Sequence, residues 1–536
     1  MISNRRVSRR FVGVLLVFAC PAFAADEKKE RGKPDPAIPM TGNAFRPVFV
    51  RMADQLFRKA GDYEVFCAER TDLPRSRNRA EVLPLLRAKA EGAWKTVEPL
   101  VAELEKAEKL KGVHRFWIVN GFSCAARPEA IRSLAASEAV SFVYLDRFAR
   151  PQSEAKPMRD AELAVMKALE EMRRRRPVDT DVKDAKIPWN LQALRTPEAW
   201  SEFKTKGRGA TVAVIDSGVL PTPSLARALW RNPKETFNGE DDDGNGLADD
   251  VFGYDFAVGN GFVLESRASG LASHGSACAG IIAGRPSPRS KWLTGVAPEA
   301  ELMLLKGSFD LRALEYLLAH GADVVSMSFM IVGRDLGHLR GLYRNAFEHL
   351  GAAGVLSVGG AGNFGSGPRA QPVGKQIGLP KDIPCVVAVA GVSKDGKLVP
   401  FSSKGPCFWD DVAFFSDYPK KEPLGKPDLA AFPTGYPVWT RPPGRVAKLR
   451  GWREIAADEG ASLVVGPAGN SFSGPHAAGV AALVLSVNPE LNPWEVKELL
   501  EASAVDLGPK GRDFRTGAGL LDARAAVEAA RKLSRK

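Results

Sequence analysis

The chain has no CxxC pair, and its 6 cysteines in 536 residues include Cys20 near the N-terminus, so nothing in it suggests a zinc site. The other five, Cys67, Cys124, Cys278, Cys385 and Cys407, are odd in number. At least one must stay a thiol, and the pairings considered are Cys67 with Cys124 and Cys385 with Cys407. Beyond residue 24 no apolar stretch approaches the length of a transmembrane helix, so a soluble mature chain with no membrane partner is expected. Internal repeats are absent as well, which excludes repeat arrays. The net charge of +12 would suggest a nucleic-acid partner, but four of those charges are Arg5, Arg6, Arg9 and Arg10. Residues 25–186 carry about +6 and residues 187–536 only about +2, so the basic excess lies outside the larger part of the chain and no nucleic-acid partner is expected.

The N-terminus "MISNRRVSRRFVGVLLVFACPAFA" has the charged, apolar and A-x-A layout of a secretory signal peptide, with cleavage expected after Ala24. A lipoprotein site at Cys20 and twin-arginine export are the variants of that reading. Secretion, to the medium or a periplasm, follows. Residues 25–44 read as a flexible leader, and residues 45–150 as a small α+β domain, with helical "EVLPLLRAKAEGAWKTVEPLVAELEKAEKL" and strand-like "HRFWIVNGFSC" and "VSFVYLD". Residues 151–186 form a charged linker in which a helical "DAELAVMKALEEM" ends in Arg173, Arg174, Arg175 and Arg176, either a processing site or a helix end whose cations suit the dipole.

From Ile187 onward, short apolar strands such as "ATVAVID", "ELMLLK", "DVVSMSF" and "VVAVAGV" alternate with helical segments. That alternation predicts an α/β domain over residues 187–536, a mostly parallel sheet flanked by helices on both faces, with functional groups at the carboxyl ends of strands. Asp216 closes one such strand before Ser217-Gly218, where a turn-forming Asp is equally common. His274 opens the small-residue stretch "HGSACAGIIAG". Ser471 precedes the apolar helix predicted from Ser473, where it is either a cap or a nucleophile at the positive end of a helix dipole.

The order Asp, His, Ser is one of the known triad orders. "AVIDSGV", "HGSACAGIIAG" and "GNSFSGPHAAG" resemble the three catalytic blocks of the subtilisin-like serine proteases. "GVAPEAELMLLK", "DVVSMS", "GAGNFG", "PFSSKG", "KPDLAAF" and "GAGLLDARAAV" match further, so the resemblance spans about Ile187 to Val527. It implies Ser471 as nucleophile, His274 as general base and then acid, and Asp216 as the group that orients the imidazole. Asn363 would donate to the oxyanion beside the Ser471 N–H. Ser328, Phe329, Met330 and Gly360 would line the bound substrate, a protein or peptide. No cofactor is needed for such catalysis. "HRFWIVNGFSCAARPEAIRSLAASEAVSFVYLD" resembles the inhibitory propeptide of the family, so the chain would be a monomeric zymogen whose own propeptide blocks the cleft until a cut between Arg150 and Ile187.

Some positions depart from the family pattern. Asn470 stands where Thr is usual before the nucleophile, and Met330 where Gly is usual, which would crowd the bound peptide or the first specificity pocket. Cys278, one turn after His274, reads first as a small core residue. In "NGEDDDGNGLADDVFGYDF", Asp241, Asp243, Asn245 and Asp249 form either a structural calcium loop or a solvated acidic loop; Phe252 stands where an EF-hand has its bidentate Glu. A catalytically impaired protease acting as a peptide-binding module is the non-enzymatic alternative.

Overall fold

The structure, a computed structural model, describes residues 33–148, 156–174, 184–265, 273–287 and 289–533. The signal-peptide reading and two parts of the processing interval, residues 150–155 and 175–183 with Arg175 and Arg176, lie outside these residues.

Residues 33–148 build a five-stranded sheet from β1 (Lys33–Pro34), β2 (Arg46–Met52), β3 (Leu110–Phe116), β4 (Gly121–Ala126) and β5 (Val140–Leu145), in the order β1-β5-β2-β4-β3. β1 joins β5 in parallel and the other pairings are antiparallel. The stretch read as one strand, "HRFWIVNGFSC", is a hairpin: Asn120 takes a left-handed φ of 38° just before Gly121. Asn-Gly is a strong hairpin signal because both residues tolerate positive φ. Gly121 is also required sterically, since a Cβ there would lie 2.4 Å from the Val50 carbonyl oxygen. A 32-residue helix, Arg75–Lys106, runs through Pro84 and Pro99 and buries Val82, Leu86, Val97, Val101 and Leu104. Those positions recur at helical spacing along one face.

The larger unit is centred on a seven-stranded, wholly parallel sheet. Its strands are β6 (Thr211–Ile215), β7 (Gly253–Asp255), β8 (Glu301–Lys306), β9 (Val324–Met327), β10 (Leu356–Gly360), β11 (Val387–Gly391) and β12 (Leu429–Ala431), ordered β12-β11-β10-β9-β6-β8-β7. Helices cover both faces, as the sequence predicts. Along β6, Val212 and Val214 enter one core with the helices His274–Ala283 and Ser473–Val487, while Ala213 and Ile215 enter the other with Leu311–Ala319 and Leu339–Ala352. A doubly covered parallel sheet needs this near-continuous apolar run.

A third, antiparallel sheet was not evident from sequence: β13 (Val438–Thr440), β14 (Arg453–Asp458) and β15 (Ala461–Val465), in the order β13-β15-β14. Trp439 of β13 packs so closely on the His274–Ala283 helix that a Cβ on Gly280 would lie 2.6 Å from its ring. The considered disulfides are absent, and all five described cysteines are thiols. Cys67 and Cys124 lie in different hydrophobic clusters, and Cys385 and Cys407 likewise pack against different clusters.

The N-terminal unit packs against Leu311–Ala319 and Leu339–Ala352. Phe49, Phe57, Phe116 and Ile118 share one buried cluster with Leu314, Leu342 and Phe347. Glu315 accepts hydrogen bonds from Trp117 N at 2.5 Å and Ile118 N at 3.0 Å, Asn345 Nδ2 donates to Phe57 O at 3.2 Å, and Arg75 pairs with Asp323 at 2.5 Å. No helix among the described residues is long and apolar enough to cross a membrane.

Candidate active site

β6 delivers Asp216 to the carboxyl edge of the sheet, and the helix His274–Ala283 begins with His274 beside it. Two glycines let these elements meet. A Cβ on Gly275 would lie 2.1 Å from Gly218 O, and Gly218 itself has φ +96° with a Cβ position 2.5 Å from Val263 O. The Ser217 hydroxyl spans the junction, donating to Glu265 at 2.7 Å and accepting from Gly275 N at 3.1 Å.

Asp216 Oδ1 lies 2.8 Å from His274 Nδ1 and accepts a second hydrogen bond, from Ser217 N, at 2.8 Å. Burial alone would raise the Asp216 carboxyl, but the His274 charge and hydrogen bond outweigh it, and its pKa lies below the ordinary value. Burial likewise pulls the His274 imidazole down, yet Asp216 more than compensates and its pKa lies well above the ordinary value. The two directions agree, as they must for a pair that stabilises imidazolium beside carboxylate.

Ser471 occupies a single 3-10 turn, Asn470–Phe472, that feeds the helix Ser473–Val487. Its carbonyl accepts from Ser328 Oγ at 2.7 Å, and its own hydroxyl donates to Ser328 O at 3.4 Å. The hydroxyl is therefore turned toward Ser328, and no hydrogen bond joins it to His274, although the adjacent Phe472 ring lies 5.8 Å from the imidazole. Such contacts commonly form only once substrate is bound.

Asn363 Oδ1 accepts from Asn470 N at 2.7 Å, which fixes the amide with Nδ2 as its remaining donor. That nitrogen lies beside Gly469, 3.3 Å from where a Cβ there would stand. Asn470, the departure from Thr, is fully buried and donates to Gly362 O at 2.8 Å and Ser402 Oγ at 2.9 Å. It ties the Asn363 segment to the Ser471 turn, a role that the sequence did not disclose. Cys278 lies beneath, its thiol 3.4 Å from Ser328 Oγ and kept protonated by burial.

Ser328, Phe329 and Met330 continue β9 past the sheet edge. Met330 lies against Gly362, its sulfur 2.9 Å from a Cβ position there. Gly360 abuts the Ser471 turn, since a Cβ there would lie 1.9 Å from Asn470 O. Across from this strand, the short segment after Lys306 places Phe309 against Phe329 at 4.8 Å. Phe148, the end of the described N-terminal unit, stacks on Phe309 at 5.1 Å.

In the acidic loop, Asp241 and Asp243 converge with Glu235, their carboxylate oxygens within 4.8 Å of one another. Glu235, absent from the sequence-based set, is fully buried, leaves Oε2 without a partner and has its pKa pushed up by burial to about 7. A buried, unpaired carboxylate oxygen among other carboxylates suits a hard cation. Asn245 Nδ2 donates to Asp250 at 3.0 Å nearby. Asp249 is turned away, accepting from Asn238 N and Gly239 N at 2.9 Å each.

A sequence model of the subtilase family, peptidase S8, matches residues 207–519. The chain is 26% identical over 356 residues to the minor extracellular protease Epr of Bacillus subtilis (strain 168), covering 65% of this chain and 42% of Epr. It is 27% identical over 424 residues to the serine protease AprX of the same strain, covering 75% of this chain and 77% of AprX. The chain thus spans less than half the length of Epr. Among solved structures, fervidolysin from Fervidobacterium pennivorans, described as a keratinolytic enzyme related to subtilisin, aligns with a TM-score of 0.52 at 20% identity. That likeness covers 91% of this chain and 61% of fervidolysin, and it is one of fold.

Proposed function

The chain belongs to the subtilase family, and from that membership we propose that it is a secreted serine endopeptidase, made as a zymogen, that cleaves peptide bonds through an acyl-enzyme on Ser471. The observation that carries the reading is the Asp216–His274 pair at 2.8 Å, set at the edge of the sheet where Ser471 and Asn363 also converge. Its relatives are described as proteases, which lends the binding-module alternative no support.

In the proposed reaction, His274 takes the Ser471 proton at Nε2 as Oγ attacks the substrate carbonyl, and Asp216 holds the other imidazole nitrogen and stabilises the cation. The developing oxyanion is met by Asn363 Nδ2 and the Ser471 N–H. His274 then gives its proton to the departing amine, and water repeats the sequence on the acyl-enzyme. Substrate would run along Ser328–Met330.

The zymogen reading is supported by the N-terminal unit's contacts with Leu311–Ala319 and by Phe148 on Phe309, which itself packs on Phe329 of the cleft wall. Secretion is supported by the N-terminal sequence layout and by the extracellular description of Epr. Glu235, Asp241 and Asp243, with Asn245 beside them, would hold a calcium ion, which would neutralise the buried carboxylate and stiffen the loop. Expression of the wild type beside Ser471→Ala tests the proposal. The wild type should yield a chain beginning between Arg150 and Ile187, and Ser471→Ala should stay unprocessed; a fully active wild type beginning at Ala25 would refute the zymogen reading.

A further inference from the structure

Lys381 is a buried cation that the proposed reaction does not use. Its side chain has no exposed surface. Lys426 and Arg344, equally buried in the same unit, each hold a carboxylate: Lys426 pairs with Asp428 at 2.7 Å, and Arg344 with Glu348 at 2.7 Å and Asp417 at 2.6 Å. Among the described residues no carboxylate pairs with Lys381, and that of the adjacent Asp382 is taken by Arg340 at 2.8 Å. Its ammonium has three donors, and the acceptor found for it is the carbonyl of Phe329. Burial pulls its pKa down to about 7, with Asp382 and Asp216 acting in the opposite sense.

The surroundings of that ammonium define its use. It bonds one wall of the cleft through Phe329 O, and it lies against the other, since a Cβ on Gly359 would stand 2.2 Å from Lys381 Cε and 2.9 Å from Nζ. Ser471 joins the same two walls: Ser328 Oγ bonds its carbonyl, and Gly360 abuts the Asn470–Ser471 backbone. A carbonyl carbon held at Ser471 Oγ, with its oxygen toward Asn363 Nδ2, belongs to a residue whose side chain enters between those walls. Lys381 borders both of those walls.

We propose that Lys381 sets the cleavage preference, selecting an acidic side chain on the residue whose carbonyl is attacked. This rests on the endopeptidase reading of the same site. A glutamate carboxylate supplies the missing counter-ion in a dry setting, where a charged hydrogen bond is strong. A glutamine supplies a weaker acceptor, an apolar side chain leaves the ammonium unpaired, and a lysine is repelled.

The test uses the purified, self-processed enzyme and peptides that differ only at that residue, Glu, Asp, Gln, Leu, Phe or Lys, with Ser471 labelling by a fluorophosphonate as the control for an assembled site. The expected kcat/KM for Glu exceeds that for Gln by about 100-fold near neutral pH. The Glu-to-Gln ratio, in which the His274 titration cancels, should fall as pH rises and Lys381 loses its proton. Lys381→Met should bring the ratio close to one and favour Leu or Phe. A labelled wild type with no acidic preference, or a labelled Lys381→Met that keeps it, overturns the proposal and leaves Lys381 as a brace for the Phe329 carbonyl. If Lys381→Met does not fold, the wild-type panel and its pH dependence decide alone. A wild type that takes no label overturns the endopeptidase reading instead, and the specificity with it.

Discussion

Replacing Asn363 by Ala removes two hydrogen-bond partners at once, and a second substitution separates them. Oδ1 accepts from Asn470 N at 2.7 Å, and Nδ2 is the donor left for the oxyanion. In Asn363→Ala the buried Asn470 N–H loses its acceptor, at a cost of roughly 1–3 kcal/mol in stability. Loss of one oxyanion donor should lower kcat by about 10²–10³, or roughly 2.7–4 kcal/mol of transition-state stabilisation, with KM little changed. Asn363→Asp keeps an oxygen for Asn470 N and replaces the donor by an acceptor. It should therefore melt near the wild type while losing at least as much kcat. Steady-state peptide hydrolysis and thermal melting of the self-processed enzymes supply both readouts. Hydrolysis by Asn363→Asp within about threefold of the wild type would refute the reasoning, as would an Asn363→Ala enzyme that is destabilised yet unimpaired, because either would put the donor elsewhere.

The pH profile follows from the Asp216–His274 pair. His274 must be neutral to accept the Ser471 proton, and its pKa lies well above the ordinary histidine value, so kcat/KM should climb with pH through neutrality and level off on the alkaline side; a plateau already reached at pH 6 would contradict this. The stabilisation from that pair should be fully present below the ordinary histidine pKa and be lost as pH rises through the raised value, which melting of Ser471→Ala across pH would show. Glu235, pushed up to about 7, keeps its proton in the folded chain at mildly acidic pH. Its favourable contribution is lost as pH rises through 7 and the buried carboxylate ionises. Calcium should accordingly raise Tm more at pH 8 than at pH 5.5, and Glu235→Gln should abolish most of the difference; equal shifts at both pH values would sink the site.

The parallel sheet was readable because each strand is a short apolar run buried on both faces, and Asp216 was readable as the polar residue that ends one. His274 and Ser471 gained meaning from the sequence blocks around them, and the 2.8 Å contact between His274 and Asp216 agrees with that pairing. The hairpin at Asn120-Gly121 could have been read from that dipeptide, and was hidden by apolar residues running through the turn as far as Val119. β13 to β15 carry no comparable local mark; Trp439 is held by the helix it meets, across the missing Cβ of Gly280. Glu235 stands outside the spacing of a calcium loop and joins Asp241 and Asp243 only through the chain's fold. Asn470 and Lys381 show the same limit. A buried amide that braces the Ser471 turn, and a buried ammonium between the cleft walls, are tertiary facts with no periodicity or motif of their own.

The central claim is an assembled triad with Ser471 as its nucleophile. Intact-mass measurement after fluorophosphonate treatment of the self-processed wild type, beside Ser471→Ala, tests it most directly. A single adduct on the wild type, mapped to Ser471, and none on Ser471→Ala is the expected result. A processed wild type that takes no label, or a Ser471→Ala chain that still does, would contradict it.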